Sequence, residues 1–453
     1  MSKLRVAVVG AGPAGIYASD ILLKEAEGRH EVSIDLFDRL PAPYGLVRYG
    51  VAPDHPRIKG VVSALRDVLD TGRIRVFGNV DFGRDLRLDD LRERYHAVIF
   101  ATGAMFDAPL DIPGIDAEGS YGAADFVNWY DGHPDVARDW PLDASSVAVI
   151  GNGNVALDVA RMLAKHVDDL MPTEIPANVE AGLRASAVTD VHVFGRRGPL
   201  QVKFTPLELR ELGEVPGADI VVAEEDFDRD PDADAEAKKN KQILVIDRIF
   251  SKWRGEDAER TGPRRLHLHF WARPAAVLAD DEGRVRALRI ERTAPGPDGS
   301  VVGTGEFREI EVGQVYRAVG YHGSALDEVP YDADRGVIPN DGGSVVDAEG
   351  ERVGGVYATG WIKRGPVGLI GHTKSDAKET IEHLLAEESS WWTPSIDDRD
   401  SIAALLDERG VRYTDLDGWH RLDAHERALG EAVGRERIKV VDREEMLRIS
   451  RGE

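Results

Sequence analysis

Two glycine-rich hexapeptides have the composition and placement to hold the pyrophosphate of a dinucleotide. Gly10-Ala11-Gly12-Pro13-Ala14-Gly15 follows the apolar run Leu4–Val9 and precedes a helical stretch through about Ala26. Gly151-Asn152-Gly153-Asn154-Val155-Ala156 follows Val147–Ile150 and precedes a second helical stretch through about Ala164. A glycine pattern alone is a weak signal, but a strand before it and a helix after it supply the required context. Gly10 permits the tight turn, Gly12 lets backbone approach phosphate, and Gly15 lets helix and strand pack closely. The helix N-terminus adds unpaired N–H groups and partial positive charge. The two loops differ at the end of the next strand. Val32–Phe37 ends in Asp38, whose carboxylate can accept from both ribose hydroxyls and would repel a 2′-phosphate. Val191–Phe194 ends in Gly195-Arg196-Arg197, and two guanidinium groups there suit a 2′-phosphate, favouring NADPH over NADH. One acidic and one basic ribose end imply two different dinucleotides.

The elements that must position these loops read as an α/β chain. Each loop sits in a βαβ unit. His96–Gly103 is a further buried strand ending in a small-residue turn, and Gly354–Gly360 repeats that pattern. His166–Thr189, with Pro172 and Pro176, reads as an insertion. Leu266–Trp271, Val285–Arg289 and Ile310–Tyr316 alternate as strands and hairpins do, and the chain from about Ser375 is helical in pattern. Ala223–Lys241 is an acidic and then basic run, expected as a solvated segment.

Composition narrows the chemistry. The 453 residues suit two or three domains, and 42% hydrophobic with 30% charged residues is a globular mixture. There are no cysteines, which excludes disulfides, thiolate-held iron–sulfur clusters and a CxxC relay. Redox chemistry must then use a bound organic cofactor or an external partner, and no metal ligands are assigned. A net charge of −24 argues against nucleic-acid binding. No apolar run approaches the roughly 18 residues of a membrane span, and no targeting pattern is visible, so a cytoplasmic address is expected.

Longer motifs add specificity. They are PYGLVRYGVAPDHP (Pro43–Pro56), GNGNVALDVAR (Gly151–Arg161), GRRGPLQVKFTPLELREL (Gly195–Leu212) and GWIKRGPVGLIG (Gly360–Gly371). With the two loops, over nearly the whole chain, they resemble the adrenodoxin-reductase-type ferredoxin–NADP reductases, including their actinobacterial members. The resemblance implies two Rossmann-type domains for FAD and NADP, arranged as in glutathione reductase but without a dithiol. The FAD domain would comprise 1–103 and 326–453, the latter with a helical C-terminal segment, and the NADP domain 104–325. It further implies that Ala14, Asp38, Leu46 and Phe82 contact FAD, Phe82 through its main chain. Trp361 and the Gly368-Leu369-Ile370 turn would hold the flavin end, with Gly368 where nicotinamide meets flavin. Asn152, Gly153, Asn154 and Val155 would hold the NADP pyrophosphate, Arg196 and Arg197 its 2′-phosphate, and Glu208 a further part of the nucleotide. His55, Glu211 and Asp158 match positions that link flavin to solvent protons. One departure is Ala108, where relatives usually carry arginine.

The implied activity is transfer of electrons from NADPH through FAD to a ferredoxin-type iron–sulfur protein, or the reverse. Because ferredoxins are acidic, docking needs a local basic patch, for which Lys238, Lys239, Lys241, Arg264 and Arg265 are the candidates. Two alternatives share the loops: an FAD- and NADPH-dependent monooxygenase, whose Baeyer–Villiger fingerprint is missing here, and a flavin-bound NADPH sensor.

Overall fold

The computed structural model describes residues 2–55, 60–228, 240–254, 262–297, 299–367 and 370–453. The chain divides into two compact units. One gathers Met1–Phe106, Asp131–Asp135 and Tyr321–Glu453, and the other Asp107–Tyr130 and Val136–Gly320.

The first unit is built on a seven-stranded sheet in the order Asn340–Asp341, Ser344–Val346, Arg352–Ala358, Ala97–Phe100, Ser2–Val9, His30–Asp38, Ile74–Gly78. From Arg352–Ala358 onward all neighbours are parallel. Ser2–Val9 is buried from Leu4 to Val9, as a strand covered on both faces must be. One face packs Leu22, Ile34 and Leu36 with Ile381 and Leu384 from Ile370–Ala386, and the other packs Phe37, Phe77 and Phe100 with Ile338 and Leu406. The next strand in sequence lies on one side of Ser2–Val9 and Ala97–Phe100 on the other. The strand order therefore reverses at its carboxyl end, where open α/β sheets bind ligands.

The second unit repeats this arrangement. Its six-stranded sheet runs Ser120–Gly122, Gln314–Arg317, Ser146–Ile150, Asp190–Phe194, Arg264–His269, Ala218–Val222, and all pairs are parallel. Ser146–Ile150 occupies the switch point. A three-stranded antiparallel sheet, Ala272–Ala279, Val285–Pro295 and Val301–Glu311, covers one face through Ala148, Ile150, Phe194, Val277, Leu288 and Ile290. Two expectations need correction here. Leu266–Trp271 is mostly a parallel sheet strand, because Arg264–His269 pairs on both sides, and Ile310–Tyr316 straddles two strands, Val301–Glu311 and Gln314–Arg317. The described part of the charge run is not wholly solvated either. Asp226 is buried against Arg292 at 2.6 Å, while residues 229–239 lie outside the described residues.

Buried charge joins the distant pieces of the first unit. Glu426, fully buried, receives Arg48 on both oxygens at 2.5 and 3.0 Å and Arg437 at 3.3 Å. Lys439 donates to the carbonyls of Arg48, at 2.7 Å, and of Asp131, at 3.0 Å. Arg443 holds Asp135 at 2.6 Å. These bonds explain why Asp131–Asp135 belongs to this unit. Removing one partner of such a network strands the others in low dielectric. Glu426→Ala should therefore lower stability by about 3–5 kcal/mol in chemical denaturation, with Glu426→Gln falling between it and the parent.

Candidate cofactor-binding sites

At the first loop the missing side chains have separate purposes. Gly10 has φ +114°, and a Cβ there would stand 2.4 Å from the Ala101 carbonyl oxygen. A Cβ on Gly15 would stand 2.0 Å from the Gly10 carbonyl oxygen. Gly12 differs, because a Cβ there would meet nothing nearer than the Gly45 Cα at 3.8 Å. Gly10 and Gly15 are thus closed by protein, and Gly12 faces open space. Gly12 also caps the helix Pro13–Glu25 without a side-chain hydrogen bond, which leaves first-turn N–H groups for an anion.

Asp38 locks the loop. Its two oxygens accept from the Ala11 N–H at 2.7 Å and the Leu40 N–H at 2.9 Å. Each oxygen keeps a lone pair, so a ribose diol can be accepted as well. Burial pushes this carboxyl above the usual range, opposed by those two N–H groups and by Arg39 and Arg443. Around the loop, the Tyr44 N–H donates to the Ala11 carbonyl at 2.8 Å, and Gly45, at φ +49°, lets Leu46–Tyr49 start against Gly12. Gly360 passes so close that a Cβ would lie 2.7 Å from that of Ala14. Its N–H donates to Asp376 at 2.5 Å, and Trp361, next in the chain, stacks on Tyr321 at 6.3 Å. Phe82 is buried edge-on to Phe100 at 5.0 Å. His55 is buried in a turn, its N–H donating to Ala52 at 3.0 Å. Gly368 and Leu369 lie outside the described residues; Ile370 begins the helix Ile370–Ala386.

The second loop repeats the plan. Gly151 has φ +151°, with its Cβ position 2.2 Å from the Ala318 carbonyl oxygen, and around Gly153 nothing lies within 4 Å. Gly153 caps Asn154–Ala164, again without a side-chain bond. Two contacts tie the loop to the segment before Pro206–Gly213: Lys203 N–H to the Asn152 carbonyl, and Thr205 N–H to Asn154 Oδ1, both at 3.0 Å. Glu208 is buried and accepts the Thr205 hydroxyl. Arg196 is exposed and Arg197 half-buried, and among the described residues neither pairs with a carboxylate. Both loops therefore fit dinucleotides of the kinds expected, with opposite charge at the ribose end.

Other candidates have internal partners. Asp158 meets the buried Arg161 at 2.8 Å, and Glu211 approaches the same guanidinium at 4.0 Å. Arg264 donates to the carbonyls of Ala164, at 2.8 Å, and Lys165, closing the end of Asn154–Ala164. Arg265 pairs with Asp190 at 2.7 Å. Lys241 opens the helix Lys241–Trp253 and is exposed, while Lys238 and Lys239 lie outside the described residues. Ala108 bonds through its N–H to the Gly320 carbonyl at 2.8 Å. Asp190, His192 and His267 bring ligand atoms within 4.8 Å of one another. The two imidazoles stack, however, with centroids 4.2 Å apart and planes 12° apart, so their in-plane lone pairs run side by side. Burial holds His192 at about 4 and the neighbouring His269 at about 3, so both are neutral.

Sequence reasoning missed Gly45, Gly360 and Asp376 as loop-shaping residues. The two glycines stand in the quoted motifs, but only the fold reveals what they approach.

A fold with two dinucleotide loops at two switch points is that of the pyridine nucleotide-disulphide oxidoreductases, whose family model matches residues 4–197. The chain is 39% identical over 467 residues, covering all of both chains, to the NADPH-ferredoxin reductase FprA of Mycobacterium tuberculosis. It is 38% identical to the human mitochondrial NADPH:adrenodoxin oxidoreductase, over 98% of this chain and 91% of that one. The structure of Mycobacterium tuberculosis FprA in complex with NADPH superposes with a TM-score of 0.91 at 38% identity, over 99% of this chain and all of that one. The chain belongs to this family of NADPH-ferredoxin and NADPH:adrenodoxin reductases. Among the described residues no helix is long and apolar enough to cross a membrane.

Gly12 and Gly15 of the first loop should separate on mutation. Gly12→Val should fold, with far-UV circular dichroism retained, but lose FAD, because its side chain enters only the pyrophosphate space. Gly15→Val should fail to fold, because its Cβ has no room.

Proposed function

We propose that the protein takes a hydride from NADPH, held on the Gly151–Ala156 loop, and delivers electrons singly from FAD, held on the Gly10–Gly15 loop, to a ferredoxin-type iron–sulfur protein. The observation that carries this reading is the pair of loops, one followed by a strand that ends in Asp38 and the other by a strand that leads into Arg196-Arg197, in a chain without cysteine. Bound flavin supplies the exchange between a two-electron donor and a one-electron acceptor. The chain's own residues bind, orient and hold charge. Gly12 and Gly153 admit the phosphates, and Ala14, Leu46, Phe82, Trp361, Gly368, Leu369 and Ile370 are assigned to the flavin side. Asn152, Asn154, Val155 and Glu208 frame the nicotinamide nucleotide. His55 is the proton carrier favoured by this reading. Glu211 and Asp158, with a buried arginine to neutralise, serve first as its counter-charges. The site of action is proposed to be cytoplasmic. Reduction of a ferredoxin by NADPH, read through cytochrome c beside an artificial-dye control, tests the whole reading, and dye reduction without ferredoxin reduction would overturn the acceptor.

Coenzyme choice follows from the arginines. Each charge-assisted contact to a 2′-phosphate is worth roughly 1.5–3 kcal/mol. The double change Arg196→Ala with Arg197→Ala should raise the KM for NADPH by about a hundredfold or more and leave that for NADH nearly unchanged. Flavin content should survive.

Docking is proposed through Lys238, Lys239 and Lys241. Arg264 and Arg265 add less, since both already bond within the protein. Ferredoxin turnover should fall with rising salt while dye reduction changes little. Reversing the three lysines to glutamate should raise the ferredoxin KM selectively, and no effect would move the docking patch elsewhere.

A further inference from the structure

Arg196 and Arg197 follow the end of a strand; the first is exposed, and the side chain of the second, half-buried, is held among the described residues only by a long bond to the Gly299 carbonyl at 3.5 Å. Their main chain, by contrast, is fixed at three consecutive carbonyls. The Gly195 carbonyl accepts the Ala272 N–H at 2.9 Å, the Arg196 carbonyl accepts the Thr293 hydroxyl at 2.9 Å, and the Arg197 carbonyl accepts the Trp271 N–H at 3.1 Å. Trp271 and Ala272 stand at the corner where Arg264–His269 gives way to the antiparallel sheet, and Thr293 lies beside them on the strand Val285–Pro295.

That corner is itself built under constraint. Trp271 is fully buried yet has φ +50°, a conformation that bulky residues rarely adopt. Strained backbone of this kind persists only where surroundings over-determine it. Here the Trp271 carbonyl accepts the Thr293 N–H at 2.8 Å, and its indole Nε1–H donates to the Asp226 carbonyl at 3.0 Å. Asp226 accepts the Phe270 N–H at 3.1 Å and pairs with buried Arg292, which donates to the Phe270 carbonyl at 2.8 Å. Gly198 lies beneath the indole, where a Cβ would come within 2.5 Å of the ring.

We propose that Trp271 and Thr293 are positioning residues for coenzyme specificity: they fix the peptide that carries Arg196 and Arg197, so that only the two side chains, and not the backbone beneath them, have to be ordered when they meet the 2′-phosphate. The inference rests on the reading of those arginines as 2′-phosphate ligands. Preorganisation of this kind acts on the ligand that uses the arginines and not on one that lacks the phosphate.

Thr293→Val is nearly isosteric and removes only the hydroxyl. It should raise the KM for NADPH about three- to tenfold, leave the KM for NADH and the dye-coupled kcat in place, and keep its flavin. Thr293→Ser should restore the parent KM. Should Thr293→Val not fold, Trp271→Phe, which deletes the indole donor to Asp226, gives the same readout. A parent-like NADPH KM in the variant, while the arginine double variant raises it, overturns the inference alone. An equal rise in both coenzyme KM values does so too, since it marks general loosening. A double variant that keeps the parent coenzyme preference instead removes the underlying reading of the arginines, and the inference with it.

Discussion

Everything in both units depends on a close approach that only glycine permits. The strand-end carbonyls of Ala101 and Ala318 reach into the space where a Cβ of Gly10 or Gly151 would be. In each unit the same glycine donates its N–H to the next strand, to Phe37 at 2.7 Å and to Phe194 at 3.1 Å. The chain can therefore turn at once from strand to helix, and the helix begins at the carboxyl edge of the sheet with its first N–H groups uncapped. Given that origin, binding a phosphate needs no side chain. Selectivity passes to whatever ends the neighbouring strand.

The chemistry of the pair is thus a difference laid over a shared frame. Asp38 is drawn inward by two backbone donors and becomes part of its loop, so its acceptor sites have fixed directions. Arg196 and Arg197 stay outside, and their order comes from the peptide beneath them. A carboxylate can be built into a loop because backbone N–H groups are available to it. A guanidinium has only donors, so backbone N–H groups cannot draw it in, and Arg197 instead reaches the Gly299 carbonyl at 3.5 Å.

What was legible in the sequence was local. The runs Leu4–Val9 and Val147–Ile150, the glycines after them, and the residues ending the next strands, Asp38 and Arg196-Arg197, each fall within a single βαβ unit, the second lengthened by the insertion His166–Thr189. Their periodicity and turn chemistry carry the assignment without tertiary information. The rest is non-local. Asp158 and Glu211 are picked out in the sequence only as matches to positions that link flavin to solvent protons, and their shared approach to the buried Arg161 is visible only in the fold. Arg264 reads as a surface cation, yet it closes a helix about a hundred residues away in sequence. The return of Asp131–Asp135 to the first unit follows from Lys439 and Arg443, and nothing around residue 131 announces it.

The bond between Arg48 and Glu426 spans 378 residues, and this sets an order of events during synthesis. When Gly320 leaves the ribosome, the whole of the second unit is present, and its parallel sheet can close. The first unit at that moment still lacks Arg352–Ala358, the strand beside Ala97–Phe100, and the acidic partner of Arg48. Its N-terminal strands must wait as a partial sheet with Ala97–Phe100 as an extra unpaired edge while a later-made unit is completed ahead of them. Such an edge is open to wrong pairing. The stretch of translation from residue 321 to Ala358 is therefore the interval in which that edge stays open, and Arg48 waits longer still, until Glu426 is made.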